Sequence, residues 1–262
     1  MALGMFLFAA VDTIAKLLTD SLHPVQIVWV RQSGLLIGVL CLLALRGPKL
    51  LRSRSPGLQM ARGVLAAGSA TIFTLALGFV PLADAAAVAF VAPFIVTVLG
   101  AILLREPVGS RRWTAVTIGF LGTLVIIRPG MGVMHPAVLL VLVSALFFAL
   151  RQVLSRVLAN GDSIETTIAY TALTASAVLT VPLAFVWQWP TTGKEVALLC
   201  GIALLAALGE ICVIKALQLA NAVIVAPLQY SLIIWVTSYG YFVFGDFPDL
   251  WTWVGATIIV VS

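Results

Sequence analysis

Seven ionisable side chains fall inside apolar runs of the chain: Asp12, Lys16, Arg31, Arg62, Arg151, Glu210 and Lys215. A lone charge in hydrocarbon costs several kcal/mol, so such groups either neutralise one another or act on an ion or solute. Asp12 and Lys16 stand four residues apart, where an acid and a base share a helix face. Two readings follow. Either the pair is mutually neutralising and simply lets the helix insert, or Asp12 faces a chamber and exchanges a proton as that chamber opens to each side. Glu210 has Lys215 nearby at a spacing that shares a face poorly, which leaves Arg151 as its expected partner. Arg31 can meet Asp12 or a substrate carboxylate. Arg62 and Lys215 lie close to helix ends and are expected to reach the interface by snorkelling.

A second group of residues could shape a binding chamber. Pro93 and Pro227 fall mid-run, where each removes a backbone donor and bares a carbonyl, giving a kink or local unwinding. Lipid does not tolerate bared polar groups, so breaks of this kind line cavities. Around them stand Phe90, Phe94, Gln229, Tyr230 and Trp235. Rings supply apolar area, while one amide and one hydroxyl can orient a small amphipathic solute. The opposing reading is that several of these rings face lipid. Trp187, Trp189, Trp251 and Trp253 fit interfacial belts. The glycine pairs Gly34/Gly38, Gly63/Gly68 and Gly119/Gly122 read as close helix packing.

The elements that must position these residues follow from composition. The 262 residues are 62% hydrophobic and only 10% charged, against about 25% charged in a soluble domain. The solvent must therefore be lipid. A spanning helix needs roughly 20 apolar residues, and ten segments meet or approach that length, near 2–19, 24–45, 58–79, 84–104, 113–128, 136–158, 164–187, 195–219, 222–245 and 250–262. The last stops at Ser262 while still apolar. The first carries Asp12 and Lys16 and lacks a small-residue cleavage site, so it is expected to be a span and not a leader. The expected fold is an all-α polytopic membrane protein of ten transmembrane helices. Cys41, Cys200 and Cys212 lie inside apolar runs without metal spacing and read as packing residues.

Positive residues are uneven between alternate connections. Arg46, Lys49, Arg52, Arg54, Arg105, Arg111, Arg112 and Arg156 fall on one set, and Arg128 and Lys194 on the other. Both termini are therefore expected in the cytoplasm. The chain also repeats itself: residues 76–118 moved forward by 140 positions lie on 216–258 without a gap. Ala76, Leu77, Ala86, Val96, Thr97, Gly100, Trp113, Thr117 and Ile118 recur, Glu106 falls on Asp246, and Phe90 on Tyr230. An odd number of helices per half inserts the second half upside down, so the expected domains are inverted repeats at 1–134 and 135–262, with a site between them near mid-depth.

The phrases VAPFIVTVLGAILLREPVGSRRW and ALQLANAVIVAPLQYSLIIWVTSYGYFVFGDFPDLWTWVG resemble the EamA-type repeat of the drug/metabolite transporter superfamily. The second is similar to the last repeat of bacterial amino-acid and metabolite exporters. The pattern departs at Asp246, where Glu is commoner, and at Ile233, where Pro93 leads one to expect proline. The resemblance implies export of small metabolites, most simply amino acids, across a bacterial-type inner membrane. Rival classes find little support. There is no HExxH, GxSxG or phosphate loop for an enzyme, and no filter-like polar run for a channel. No cofactor is expected. With no nucleotide motif, movement must be facilitated or driven by an ion, with protons the candidate for Asp12. The expected partners are a small solute and the bilayer, and the oligomeric state stays open.

Overall fold

The computed structural model describes residues 1–103, 109–127, 135–158, 161–219, 231–246 and 248–261. Within them every regular element is a helix. They are α1 (Ala2–Leu18), α2 (Pro24–Arg46), α3 (Pro56–Leu77), α4 (Leu82–Ala89), α5 (Ala92–Leu103), α6 (Ser110–Ile127), α7 (Val138–Leu158), α8 (Ile164–Val186), α9 (Gly193–Leu219), α10 (Ser231–Tyr239) and α11 (Leu250–Val261). Among the described residues six helical stretches are long and apolar enough to cross a membrane, with 82–103 counted as one.

Local chemistry sets these boundaries. Pro24 and Pro56 occupy first-turn positions, where no backbone N–H is needed. The imidazole of His23 accepts from the Val25 amide, and Ser163 caps α8 by accepting from Thr166. α2 stops at Gly47, whose φ of 75° suits glycine. The segment expected as one helix near 84–104 is two, α4 and α5, separated at Phe90 and Val91. Pro93 explains the break, because it offers no N–H to the Ala89 carbonyl and its ring crowds that oxygen. One turn on, the Thr97 hydroxyl donates to the Pro93 carbonyl at 3.0 Å. The expected segment near 222–245 is described only from Ser231. α10 there passes into a wider π turn, Gly240–Phe244, that ends at Gly245 with φ 74°.

The packing partners fall into matched sets. α3 packs on α7 as α1 packs on α9; α3 meets α8 as α2 meets α9; α4 and α5 lie on α7 as α10 lies on α1. The contacts α2–α8, α4–α10 and α6–α11 map onto themselves under the same exchange. Glycines set the closest of these approaches. A Cβ on Gly34 would collide with the Ala203 carbonyl oxygen of α9, and one on Gly63 would lie 2.6 Å from Thr174 of α8. Gly38, its expected companion, has nothing within 4 Å.

Contacts between connections define two ends of the bundle. At one end the 46–57 connection meets the turn before α8. Arg46 pairs with Glu165 at 2.7 Å, and Asp162 accepts from the Ser53 hydroxyl, the Arg54 amide and the Gln59 side chain. At the other end Gln26 and Gln188 exchange two hydrogen bonds, Phe79 stacks on His135, and Thr252 donates to Asp84. That second end is filled by α4, whose Leu82, Ala83, Ala85, Ala86, Ala87 and Val88 are all buried. α4 touches α1, α3, α6, α7, α10 and α11. We call it the sealed end, and the first the α2–α3 end.

Two outcomes follow. Gly34→Ala should lower stability by about 1–3 kcal/mol through forced separation of α2 and α9, while Gly38→Ala leaves it unchanged; thermal unfolding of the purified protein in detergent compares them. The three hydrogen bonds to Asp162 hold its carboxyl below the ordinary value, with Ser53 the largest contributor. Its contribution is complete at neutral pH and is lost as pH falls through that lowered pKa. Acid unfolding monitored with wild type and Asp162→Asn should show that the variant is less stable near neutrality and that the gap closes in acid.

Candidate functional site

The charged residues that the sequence places inside spans come together in two groups. The first joins α1 to α2. Arg31 pairs with Asp12 at 3.4 Å, with side chains only 20% and 15% exposed, and its guanidinium lies over the Phe8 ring at 6.0 Å. Asp12 stands about 15 Å along α1 by the rise of an α-helix. The expected pairing of Asp12 with Lys16 along α1 does not form. Lys16 turns toward the sealed end instead, to Asp246 at 3.5 Å, the Val80 carbonyl at 3.3 Å and the Phe244 ring at 4.8 Å. Sharing a helix face permits an i, i+4 pair but does not win against better acceptors on neighbouring helices. Lys16 thus ties the end of α1 to the α3–α4 connection and to the π turn.

The second group lies between α3, α7 and α9. Arg151 of α7 and Glu210 of α9 are close enough to interact electrostatically, and Arg151 also feels the like charge of Arg31. Arg62 of α3 interacts with both Arg151 and Glu210. It does not snorkel: its Nε donates to the Ser155 hydroxyl at 2.7 Å, and its Nη1 donates to Thr171 of α8. Desolvation opposes this inward course, and the two hydroxyls on facing helices offset it by replacing the water that the guanidinium gives up. Ser155 in turn donates to the Arg151 carbonyl at 2.8 Å, one turn along the same face. Sequence reasoning passed over this constellation. Its signal was the pair of hydroxyls on α7 and α8, which carries no meaning until α3 is known to pack between those helices. The Arg151 guanidinium sits over the Phe148 ring at 4.7 Å, and its Nε is shielded from water without a hydrogen-bond partner among the described residues.

The aromatic residues separate. Trp235 of α10 meets Phe6 of α1 edge to face at 5.2 Å, and its indole Nε1 is buried without a hydrogen-bond partner among the described residues. Phe94 stacks on Phe120 of α6 at 4.7 Å. Phe90 closes α4 and packs against the main core, while Pro93 is exposed. Pro227, Gln229, Tyr230 and Glu106 lie outside the described residues, as does the side chain of Lys215. Trp29, Trp187 and Trp189 form an edge-to-face series beside α8 near the sealed end, and Trp189 is 78% exposed.

Comparison with known proteins accounts for this arrangement. The model of the EamA-like transporter family matches the chain twice, over residues 1–128 and 135–262. The S-adenosylmethionine uptake transporter of Rickettsia felis is 27% identical over 98% of this chain and 89% of its own length. The riboflavin transporter of Vibrio cholerae is 30% identical over 81% of this chain and 72% of its own. The pseudopaline exporter CntI of Pseudomonas aeruginosa is 28% identical over 99% of this chain and 92% of its own. One solved crystal structure superposes with a TM-score of 0.63 at 18% identity, covering 99% of this chain and 94% of that one, which supports the fold alone.

Removing one member of the Asp12–Arg31 pair should cost about 3 kcal/mol, because the other charge is left buried. Asp12→Asn and Arg31→Gln should each lower unfolding stability, and the double variant should cost less than their sum. Lys16→Gln combined with Asp12→Asn should be additive, since those two side chains do not meet.

Proposed function

The chain belongs to the EamA-like transporter family, and from that premise we propose a secondary carrier that moves small amphipathic metabolites, amino acids first among them, by alternating access. It is a multi-pass membrane protein and not an enzyme. In this reading residues 1–134 and 135–262 form two inverted halves of five crossings each, with α4 and α5 sharing one crossing. The observation that carries it is the matching of the principal helix contacts, in which α3–α7, α3–α8 and α4–α7 have α1–α9, α2–α9 and α1–α10 as counterparts when the halves are exchanged. Direction adds support. α1 leads toward the sealed end, which α7 leaves from, as oppositely inserted halves require. The double match of the family model falls on the same division.

The excess of Lys and Arg in the 46–57 connection and before the α8 turn supports a cytoplasmic position, at a bacterial inner membrane, for the α2–α3 end and both termini. The sealed end then faces outward, and the conformation is closed to the outside. Lys16 with Asp246 and α4 with its six neighbours act as the outer closure. Asp12 lies deep enough to carry a proton once Arg31 disengages, which makes protons the candidate coupling ion.

Export rests on the likeness to bacterial metabolite exporters, beside which the pseudopaline exporter stands at 28% identity. Uptake is the second reading, favoured by the S-adenosylmethionine uptake transporters, which match at comparable identity and coverage.

Counterflow of radiolabelled amino acids in proteoliposomes should be saturable and should respond to an imposed pH gradient. Unsaturable flux would point to a channel instead. Glu210→Gln should reduce flux at least tenfold with normal folded yield, and wild-type flux from well-folded variant would remove Glu210 from the mechanism.

A further inference from the structure

Among the described residues the charges of the two groups do not balance. The two groups hold the guanidiniums of Arg31, Arg62 and Arg151 against the carboxylates of Asp12 and Glu210. Asp12 is committed to Arg31. Glu210 faces both remaining arginines, and among the described residues neither has an ion-pair partner. Arg62 settles on two hydroxyls. Arg151 has less: one face of its guanidinium is covered by Phe148, and its shielded Nε–H finds no acceptor among the described residues. A ring over the face leaves hydrogen bonding to the edge of the fork, and the geometry of that edge matches the two oxygens of a carboxylate.

We infer that Arg151, flanked by Arg62, anchors the carboxylate of the transported solute, so that the substrate class is carboxylate-bearing metabolites. This rests on the carrier reading and narrows it. A bound carboxylate would balance the third guanidinium and satisfy the orphaned donor in one step. It would also compete with Glu210 for the same two arginines, which links solute binding to the contact between α7 and α9. The apolar remainder of the solute would lie against Phe148.

The test uses matched pairs, L-leucine with L-leucinamide and L-phenylalanine with L-phenylalaninamide. Each serves as competitor in counterflow of the labelled acid and as additive in thermal unfolding of the purified full chain. On wild type the acids should compete at least tenfold better than the amides and should raise the unfolding temperature. Arg151→Gln, eluting as a monodisperse species, should bring the acid-to-amide ratio close to one, and Arg151→Lys should retain part of it. The lysine variant keeps the charge without the fork, and it supplies the same comparison if the glutamine variant does not fold.

Equal action of acid and amide on wild type overturns the assignment, as does an unchanged ratio in both variants. Saturable flux of the amides without preference for acids overturns it while leaving the carrier reading intact. Absence of saturable flux for every solute overturns both.

Discussion

The expense of holding charge in hydrocarbon governs this structure. Each ionised side chain inside the bundle must find an opposite charge, a ring face or a hydroxyl before the helices can be stable in lipid. Asp12 fixes the approach of α1 and α2 through Arg31. Arg62 fixes α3 against α7 and α8 through Ser155 and Thr171. These partners lie on different helices, so meeting the electrostatic demand is what brings the helices into register. The hydrophobic effect cannot do that between helices surrounded by lipid.

The second determinant is smallness. The main core is built largely from alanine, with Ala9, Ala15, Ala76, Ala83, Ala85, Ala86 and Ala87 buried in it. Gly34 and Gly63 let α2 reach α9 and α3 reach α8 at distances no side chain would allow. Those two contacts correspond under exchange of the halves. Polar groups that remain are satisfied locally: the Ser69 and Ser144 hydroxyls each donate to the other residue's backbone carbonyl across α3 and α7. Close approach and local hydrogen bonding together replace the driving force that water would supply.

Much of this was legible in the chain. Segment length and apolar composition predicted the helices, and Pro93 marked a kink that proves to be a complete break between α4 and α5. The scarcity of intramembrane charges made Arg151 one of the few partners available to Glu210 and Asp12 one of two for Arg31. The structure pairs Arg31 with Asp12 and leaves Glu210 in electrostatic reach of Arg151 without an ion pair among the described residues. What stayed hidden depended on which helices are neighbours. The Lys16 side chain has Asp12 one turn away in sequence, yet Asp246, 230 residues on, takes it. Arg62 looked terminal along its own helix, but its inward course depends on hydroxyls contributed by α7 and α8. Nor could the aromatic residues be sorted, because Phe94 and Trp235 turn to different partners.

The alanine content of α4 bears on how fast the bundle can rearrange. An alanine side chain has no rotamer to lose on burial, so separating α4 from its six neighbours frees no rotamers in those alanines and closing again requires no search for them. The entropy of the step then belongs to the helix moving as a rigid rod. Such a seal re-forms without re-sorting its alanine side chains, whereas one of interlocking leucines or phenylalanines would have to re-sort them on each closure.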